Sequence, residues 1–163
     1  MQPITLTVNG VTYPVQVDPH RSLLSAVRED VGLTGSKEGC DDSECGACMM
    51  LLDGRPVNSC SYLAVQADGG QVTTVEGLSD SGLSQLQQAF LGRGGVQCGF
   101  CTPGMLISAT ALLERNPSPS EDEIRIALSG NLCRCTGYDG IVKAVAEVAR
   151  GAGSSHEPSA QIS

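Results

Sequence analysis

Eight cysteines fall into two sets of four, and their spacing limits what this chain can fold around. Cys40, Cys45, Cys48 and Cys60 read C-x4-C-x2-C-x11-C, while Cys98, Cys101, Cys133 and Cys135 read C-x2-C-x31-C-x-C. The two sets differ in spacing, so they are not an internal duplication. Residues 1–10 alternate polar and apolar side chains and lack the charged head and apolar core of a secretory signal. No apolar run approaches the roughly 20 residues of a membrane span. The expected location is the cytoplasm, where disulfides are rare and clustered cysteines bind metal or do redox chemistry.

Ten basic against 18 acidic residues leave a net charge of −8 across 163 residues, which disfavours nucleic acid as a partner. There are three Tyr, two Phe and no Trp, so the core must come from Val, Leu, Ile, Ala and Met. Such a core is modest, and metal ligation would add to it.

The order of elements predicts two domains. Ile4, Leu6 and Val8 alternate with polar residues, Asn9-Gly10 follows, and Val11, Tyr13, Val15 and Val17 alternate again, which reads as a β-hairpin. Ser22 caps a helix over 23–30, with Leu23, Leu24, Val27 and Val31 on one face. The glycine-rich stretch 32–48 is a loop. Strand 49–52 and the Val57 region flank Asp53-Gly54, a second hairpin. A short strand over 71–75 completes a small mixed α/β domain, 1–76.

Helical patterns then take over in 77–150. Leu83, Leu86, Gln87 and Phe90 share a helix face. Thr102-Pro103 reads as cap and first position of a helix reaching Arg115, and Asn116-Pro117 stops it. Ser120 with Glu123 forms a capping box before 124–128, with Gly130 as the end. A last helix over 138–150 carries Ile141, Val142, Val145 and Val148. Four helices imply a small bundle, and the Ser- and Gly-containing remainder, 151–163, reads as a disordered tail or a strap over a partner.

C-x4-C-x2-C with a fourth cysteine further on is the spacing of a plant-type ferredoxin loop, and four thiolates hold one 2Fe-2S cluster. Gly39 and Gly46 permit unusual torsions beside the ligands and let amide N–H groups approach sulfur. Cys98 and Cys101 precede a helix start, whose positive dipole end favours an anionic cluster. Gly99 is expected to allow close approach. Structural zinc can also use four cysteines, but C-x-C is awkward around one tetrahedral ion. Disulfides are the third option and conflict with the expected compartment. His20 and His156 are remote from both sets, against a site with two His ligands. Asp41, Asp42 and Glu44 read as a solvated acidic loop, Arg134 as a surface charge, and Met49, Met50 and Met105 as core. No catalytic triad, phosphate loop or dinucleotide fingerprint is present, so the chain is suited to moving electrons and not to transforming a substrate alone.

Segments 39–48 (GCDDSECGAC), 53–60 (DGRPVNSC), 97–105 (QCGFCTPGM) and 131–138 (NLCRCTGY) resemble the small iron-sulfur subunit of the molybdenum hydroxylases, the xanthine dehydrogenase, aldehyde oxidase and aerobic carbon monoxide dehydrogenase family. The similarity spans about residues 3–150. It implies an α+β chain: an N-terminal plant-type ferredoxin-like β-grasp domain, then a C-terminal four-helix bundle domain, each with one 2Fe-2S cluster. It implies that Cys40, Cys45, Cys48 and Cys60 hold one cluster, that Cys98, Cys101, Cys133 and Cys135 hold the other, and that Gln97 and Cys135 approach the pterin. Partners implied are a large molybdopterin-binding subunit and a medium FAD-binding subunit in a dimer of heterotrimers, with electrons running from molybdenum through both clusters to FAD. The holoenzyme would hydroxylate an N-heterocycle or oxidise an aldehyde or CO. Many relatives carry Gly-x-Gly after the first cluster cysteine, where this chain has Asp41-Asp42-Ser43. Two rivals remain at this stage: a zinc-stabilised binding module and a free-standing ferredoxin.

Overall fold

The computed structural model describes residues 1–79 and 81–154, with side chains from 152 onward outside the description. A five-stranded sheet is built from β1 (Gln2–Val8), β2 (Val11–Val17), β3 (Met49–Leu52), β4 (Arg55–Asn58) and β5 (Gln71–Thr73), in the order β2-β1-β5-β3-β4. Both expected hairpins form. Val8 pairs with Val11 and Leu52 with Arg55, across turns whose residues Asn9, Gly10, Asp53 and Gly54 all have positive φ. That is the torsion a two-residue hairpin needs to match strand twist. β5 pairs parallel to β1 and antiparallel to β3, and so joins the hairpins into one sheet.

The run Met49-Met50-Leu51-Leu52 is buried throughout because β3 is covered on both faces. Met50 and Leu52 belong to the core shared with β1 and the first helix, while Met49 and Leu51 pack with Ile107 of the helical domain. A half-buried strand would alternate; one covered on both sides need not. The sheet therefore serves as floor for α-helical residues further along the chain, and its buried side chains contribute roughly 1.5–3 kcal/mol each.

Ser22 caps α1 (Leu23–Ala26), its hydroxyl accepting from Ser25 N–H. The helix predicted over 23–30 does not stay regular: from Val27 to Val31 it widens into a π turn that Gly32 ends at φ 85°. The wider turn keeps Val27 buried while Val31 sits at the core's margin. The strand predicted over 71–75 stops at Thr73, and Val75–Gly77 turns as a 3-10 helix.

Four helices follow: α2 (Gln85–Gly92), α3 (Thr102–Arg115), α4 (Glu121–Ala127) and α5 (Asp139–Ser154). They share a second core that includes Phe90, Met105, Ile124, Ile141 and Val145. Leu86 and Phe90 are buried as expected, but Leu83 precedes the Ser84 cap and is exposed. The Ser120–Glu123 capping box forms, and α4 closes at Leu128, two residues before Gly130. α3 starts one residue earlier than its sequence suggests: Cys101 is the cap, Thr102 is already helical, and Pro103 is second. The cap position carries helical torsions (φ −79°, ψ −16°), so Thr102 has no free helix end to serve, and its hydroxyl is buried without a partner. α5 continues through Ser154, beyond the expected end at Arg150. The rest of the expected tail lies outside the described residues. No helix among the described residues is long and apolar enough to cross a membrane.

Candidate iron-sulfur sites

The loop bearing Cys40, Cys45 and Cys48 is wound by three left-handed residues, Asp41 (φ 60°), Ser43 (φ 67°) and Gly46 (φ 71°). Asp41 and Ser43 thus adopt a torsion normally left to glycine. Asp tolerates it better than most residues because its short polar side chain can bond locally. Asp41, Asp42 and Glu44 are exposed, as a solvated loop should be. A Cβ on Gly39 would stand 2.8 Å from Cys45 Sγ, so the chain closes directly on sulfur there. Gly46 is tight on its other side: a Cβ would run into the Gly130 carbonyl and lie 2.6 Å from Asn131 Nδ2.

Side chains from the second hairpin complete this pocket. Asn58 Nδ2 donates to Ser43 O at 3.0 Å, and the buried Ser59 hydroxyl donates to Cys48 O at 2.6 Å. Cys45 N–H donates to Cys40 Sγ at 3.4 Å, and Ala47 N–H lies near enough to Cys45 Sγ to act on that thiol. Cys48 and Cys60 are buried, whereas Cys40 and Cys45 are partly exposed.

The second set lies beneath the start of α3 and in the segment before α5. Cys101 is buried, Cys133 partly so, and Cys98 and Cys135 are exposed. The Tyr138 hydroxyl accepts from Cys133 N–H at 2.8 Å and donates to Asn131 O at 3.1 Å. Tyr138 itself has φ 70°, a torsion that folds its ring back over the cysteine segment. The Thr136 hydroxyl stands 3.0 Å from Cys133 Sγ. Gly99 has φ 83° and nothing within 4 Å of where its Cβ would be, so its service is torsional, not the close approach expected of it.

Within each set the thiols act on one another. Cys40 interacts with Cys45, Cys48 with Cys60, Cys101 with Cys133 and Cys98 with Cys135, and Cys45 also feels Cys60, Cys101 feels Cys98 and Cys135 feels Cys133. Among the described residues, no three His, Cys, Asp or Glu side chains converge as ligands of a single ion would. Four sulfurs per site, with no room at Gly39 for a side chain, suit a cluster of two irons with two sulfurs on each.

Without metal, burial raises most of the thiols whose shifts are resolved. Burial pushes Cys48 up to about 12, reinforced by Cys60 beside it, although the Cys60 N–H pulls the other way. Burial pushes Cys101 up to about 12 as well, with Cys133 adding to it. Burial also raises Cys45, and the neighbouring Cys98 thiol raises Cys135. Cys133 is lowered: burial opposes this, but the Thr136 hydroxyl and N–H outweigh it. Cys40 is lowered too; its largest single influence, the Asp42 side chain, acts upward, and the Asp42 and Cys45 N–H groups prevail. In the iron-free chain most of these thiols hold their protons, and a bound metal removes them outright.

Gln97 and Arg134 are exposed beside Cys98 and Cys135. Phe100 (47% exposed) and Leu132 (58%) are exposed apolar residues of the segments that carry the second set, and the Phe100 ring edge would stand 3.3 Å from a Cβ on Gly39 of the first loop. His20 is exposed, and His156 lies outside the described residues. Asn58, Ser59, Asn131, Thr136 and Tyr138 were not singled out from sequence. Asn131, Thr136 and Tyr138 fall inside the NLCRCTGY segment, and Asn58 and Ser59 inside DGRPVNSC, which is the one signal that could have found them.

Residues 6–79 match a family described as a 2Fe-2S iron-sulfur cluster binding domain, and residues 74–146 match one described as a 2Fe-2S binding domain. The chain is 52% identical over 143 residues to the nicotinate dehydrogenase small FeS subunit of Eubacterium barkeri, covering 87% of this chain and 91% of that one. It is 55% identical over 142 residues to the nicotine 6-hydroxylase small subunit of Paenarthrobacter nicotinovorans, covering 87% and 86%. Among solved structures, quinoline 2-oxidoreductase of Pseudomonas putida 86 superposes with a TM-score of 0.90 at 48% identity, covering 96% of this chain and 98% of that one. The aldehyde oxidoreductase of Desulfovibrio gigas also reaches 0.90 at 41% identity, covering 97% of this chain but 18% of the longer one.

Proposed function

Because the chain belongs to the family of small iron-sulfur subunits of the molybdenum hydroxylases, we propose that it relays electrons from a molybdopterin centre on a large subunit, by way of two 2Fe-2S clusters, to FAD on a medium subunit. It is a subunit of an oxidoreductase and has no substrate site of its own. The observation that carries the reading is the gathering of all eight cysteines into two groups of four thiols that act on one another.

In this reading residues 1–76 are a plant-type ferredoxin-like β-grasp domain and residues 77–150 a four-helix bundle. Cys40 and Cys45 hold one iron of the N-terminal cluster, and Cys48 and Cys60 the other. Cys98 with Cys135 and Cys101 with Cys133 do the same in the helical domain. A bound cluster supplies one-electron chemistry. The protein supplies N–H donors to sulfur, a water-poor inner edge at Cys48, Cys60 and Cys101, and an accessible outer edge at Cys98 and Cys135. Gln97 and Cys135 stand on that outer edge and approach the pterin, with Phe100 and Leu132 as the apolar skirt the large subunit covers. Hydroxylation of an N-heteroaromatic is the reaction we favour for the complex, since relatives at 52% and 55% identity are named for nicotinate and nicotine. We place the complex in the cytoplasm, as a dimer of heterotrimers.

The test is purification of the native complex, an iron count and EPR of the dithionite-reduced protein. About four irons per chain and two distinct 2Fe-2S signals are expected. Zinc in place of iron overturns the reading, and purification as a lone monomer reduces it to a free-standing ferredoxin.

A further inference from the structure

One buried amide reaches from the loop of one cysteine site to the loop of the other. Asn131 lies two residues before Cys133 and is 2% exposed. Its Oδ1 accepts a hydrogen bond from the Ser108 hydroxyl of α3 at 2.7 Å. Its Nδ2 donates to Gly46 O at 3.1 Å across 85 residues of sequence, and because a carbonyl can only accept, this bond sets which end of the amide is which.

That carbonyl belongs to the Gly46–Ala47 peptide, and the same peptide's N–H lies near enough to Cys45 Sγ to act on it. A trans peptide is planar, with C=O and N–H pointing in opposite directions. Holding the oxygen aims the hydrogen. Gly46, at φ 71°, is also the residue most free to let this peptide turn over. Met49 N–H reaches the same oxygen at 3.2 Å, a turn within the loop itself. Asn131 is the brace from outside the loop, and it is not alone in joining the two segments: Leu132 N–H donates to Cys45 O at 2.8 Å. The contact is close because Gly104 of α3 has no side chain; a Cβ there would collide with the Gly46 carbonyl.

Resting on the two-cluster reading above, we propose that Asn131 is a positioning residue that tunes the N-terminal cluster from within the helical domain. It holds the Gly46 carbonyl and thereby keeps Ala47 N–H on the Cys45 sulfur. A donor on a ligand sulfur stabilises the more negative, reduced state of a cluster and raises its potential. The segment that carries two ligands of the helical cluster thus sets part of the electronic environment of the other one.

The experiment is EPR-monitored redox titration of the iron-loaded complex carrying Asn131→Ala, with the two clusters followed separately. The Met49 bond remains in this variant, so the loop keeps its turn and iron content is expected to stay at the wild-type level. The N-terminal cluster is expected to shift to a more negative potential, while the helical cluster stays near its wild-type value. Ser108→Ala withdraws only the hydroxyl that holds the far end of the amide; it should shift the same cluster in the same direction by less, and it decides the matter if Asn131→Ala does not load iron. An unchanged N-terminal potential in the iron-loaded variants overturns the proposal, as does an equal shift of both clusters, which marks general loosening. A wild-type chain without iron would instead sink the two-cluster reading and is told apart by the iron count.

Discussion

Tyr138 holds the second cysteine segment shut, and Tyr138→Phe removes that hold while leaving the ring in place. The hydroxyl makes two hydrogen bonds, from Cys133 N–H at 2.8 Å and to Asn131 O at 3.1 Å. Each is worth about 0.5–1.5 kcal/mol net, and the partly buried donor left behind adds to the loss. Water can reach some of this part-buried site, so a combined cost of about 2 kcal/mol is the working figure. At 1.4 kcal/mol per factor of ten, local opening becomes roughly 30-fold more frequent. If iron escapes through such opening, chelator-driven bleaching of the helical cluster should speed up by that factor, followed by visible absorbance with EPR to say which cluster is lost. The N-terminal cluster, whose loop does not contact Tyr138 through these bonds, should bleach at the wild-type rate. A helical-cluster rate within about twofold of wild type, below 0.5 kcal/mol on the same scale, would refute the idea that this hydroxyl latches the segment.

Cys101→Ser should remove the helical cluster alone, leaving one 2Fe-2S signal by EPR and stalling reoxidation of the partner's molybdenum. Ile107→Ala, at the seam where α3 meets Met49 and Leu51, should cost about 2–5 kcal/mol in a denaturation experiment without altering either set of ligands. The iron-free chain should weaken in alkali. Burial raises Cys48 and Cys101 to about 12 in the folded state against an ordinary 9.0, so the stability tied to their protonated forms is complete below pH 9.0 and is lost as the pH rises through about 12. Urea midpoints measured across that window should fall for the iron-free chain and hold steady for the loaded one, whose thiols carry no protons to lose.

Sequence alone determined the features that a few neighbouring residues control. Asn9-Gly10 and Asp53-Gly54 adopt the positive torsions that close both hairpins, and Ser120 with Glu123 caps α4, because each depends on side chains within three or four positions. The eight cysteines were legible for the same reason, since spacing is a local property. Where a neighbour in space competes, the sequence reading slipped. The helix after Ser22 widened to a π turn at Val27 to keep that side chain in the core, and α3 began at Thr102 with Cys101, a member of the second cysteine set, in the cap position. Only the tertiary structure decided why Met49 to Leu52 is buried on both faces and that Asn131 reaches Gly46. These contacts join residues far apart in the chain, and they exist because two packed cores bring the segments together, which no local torsional preference encodes.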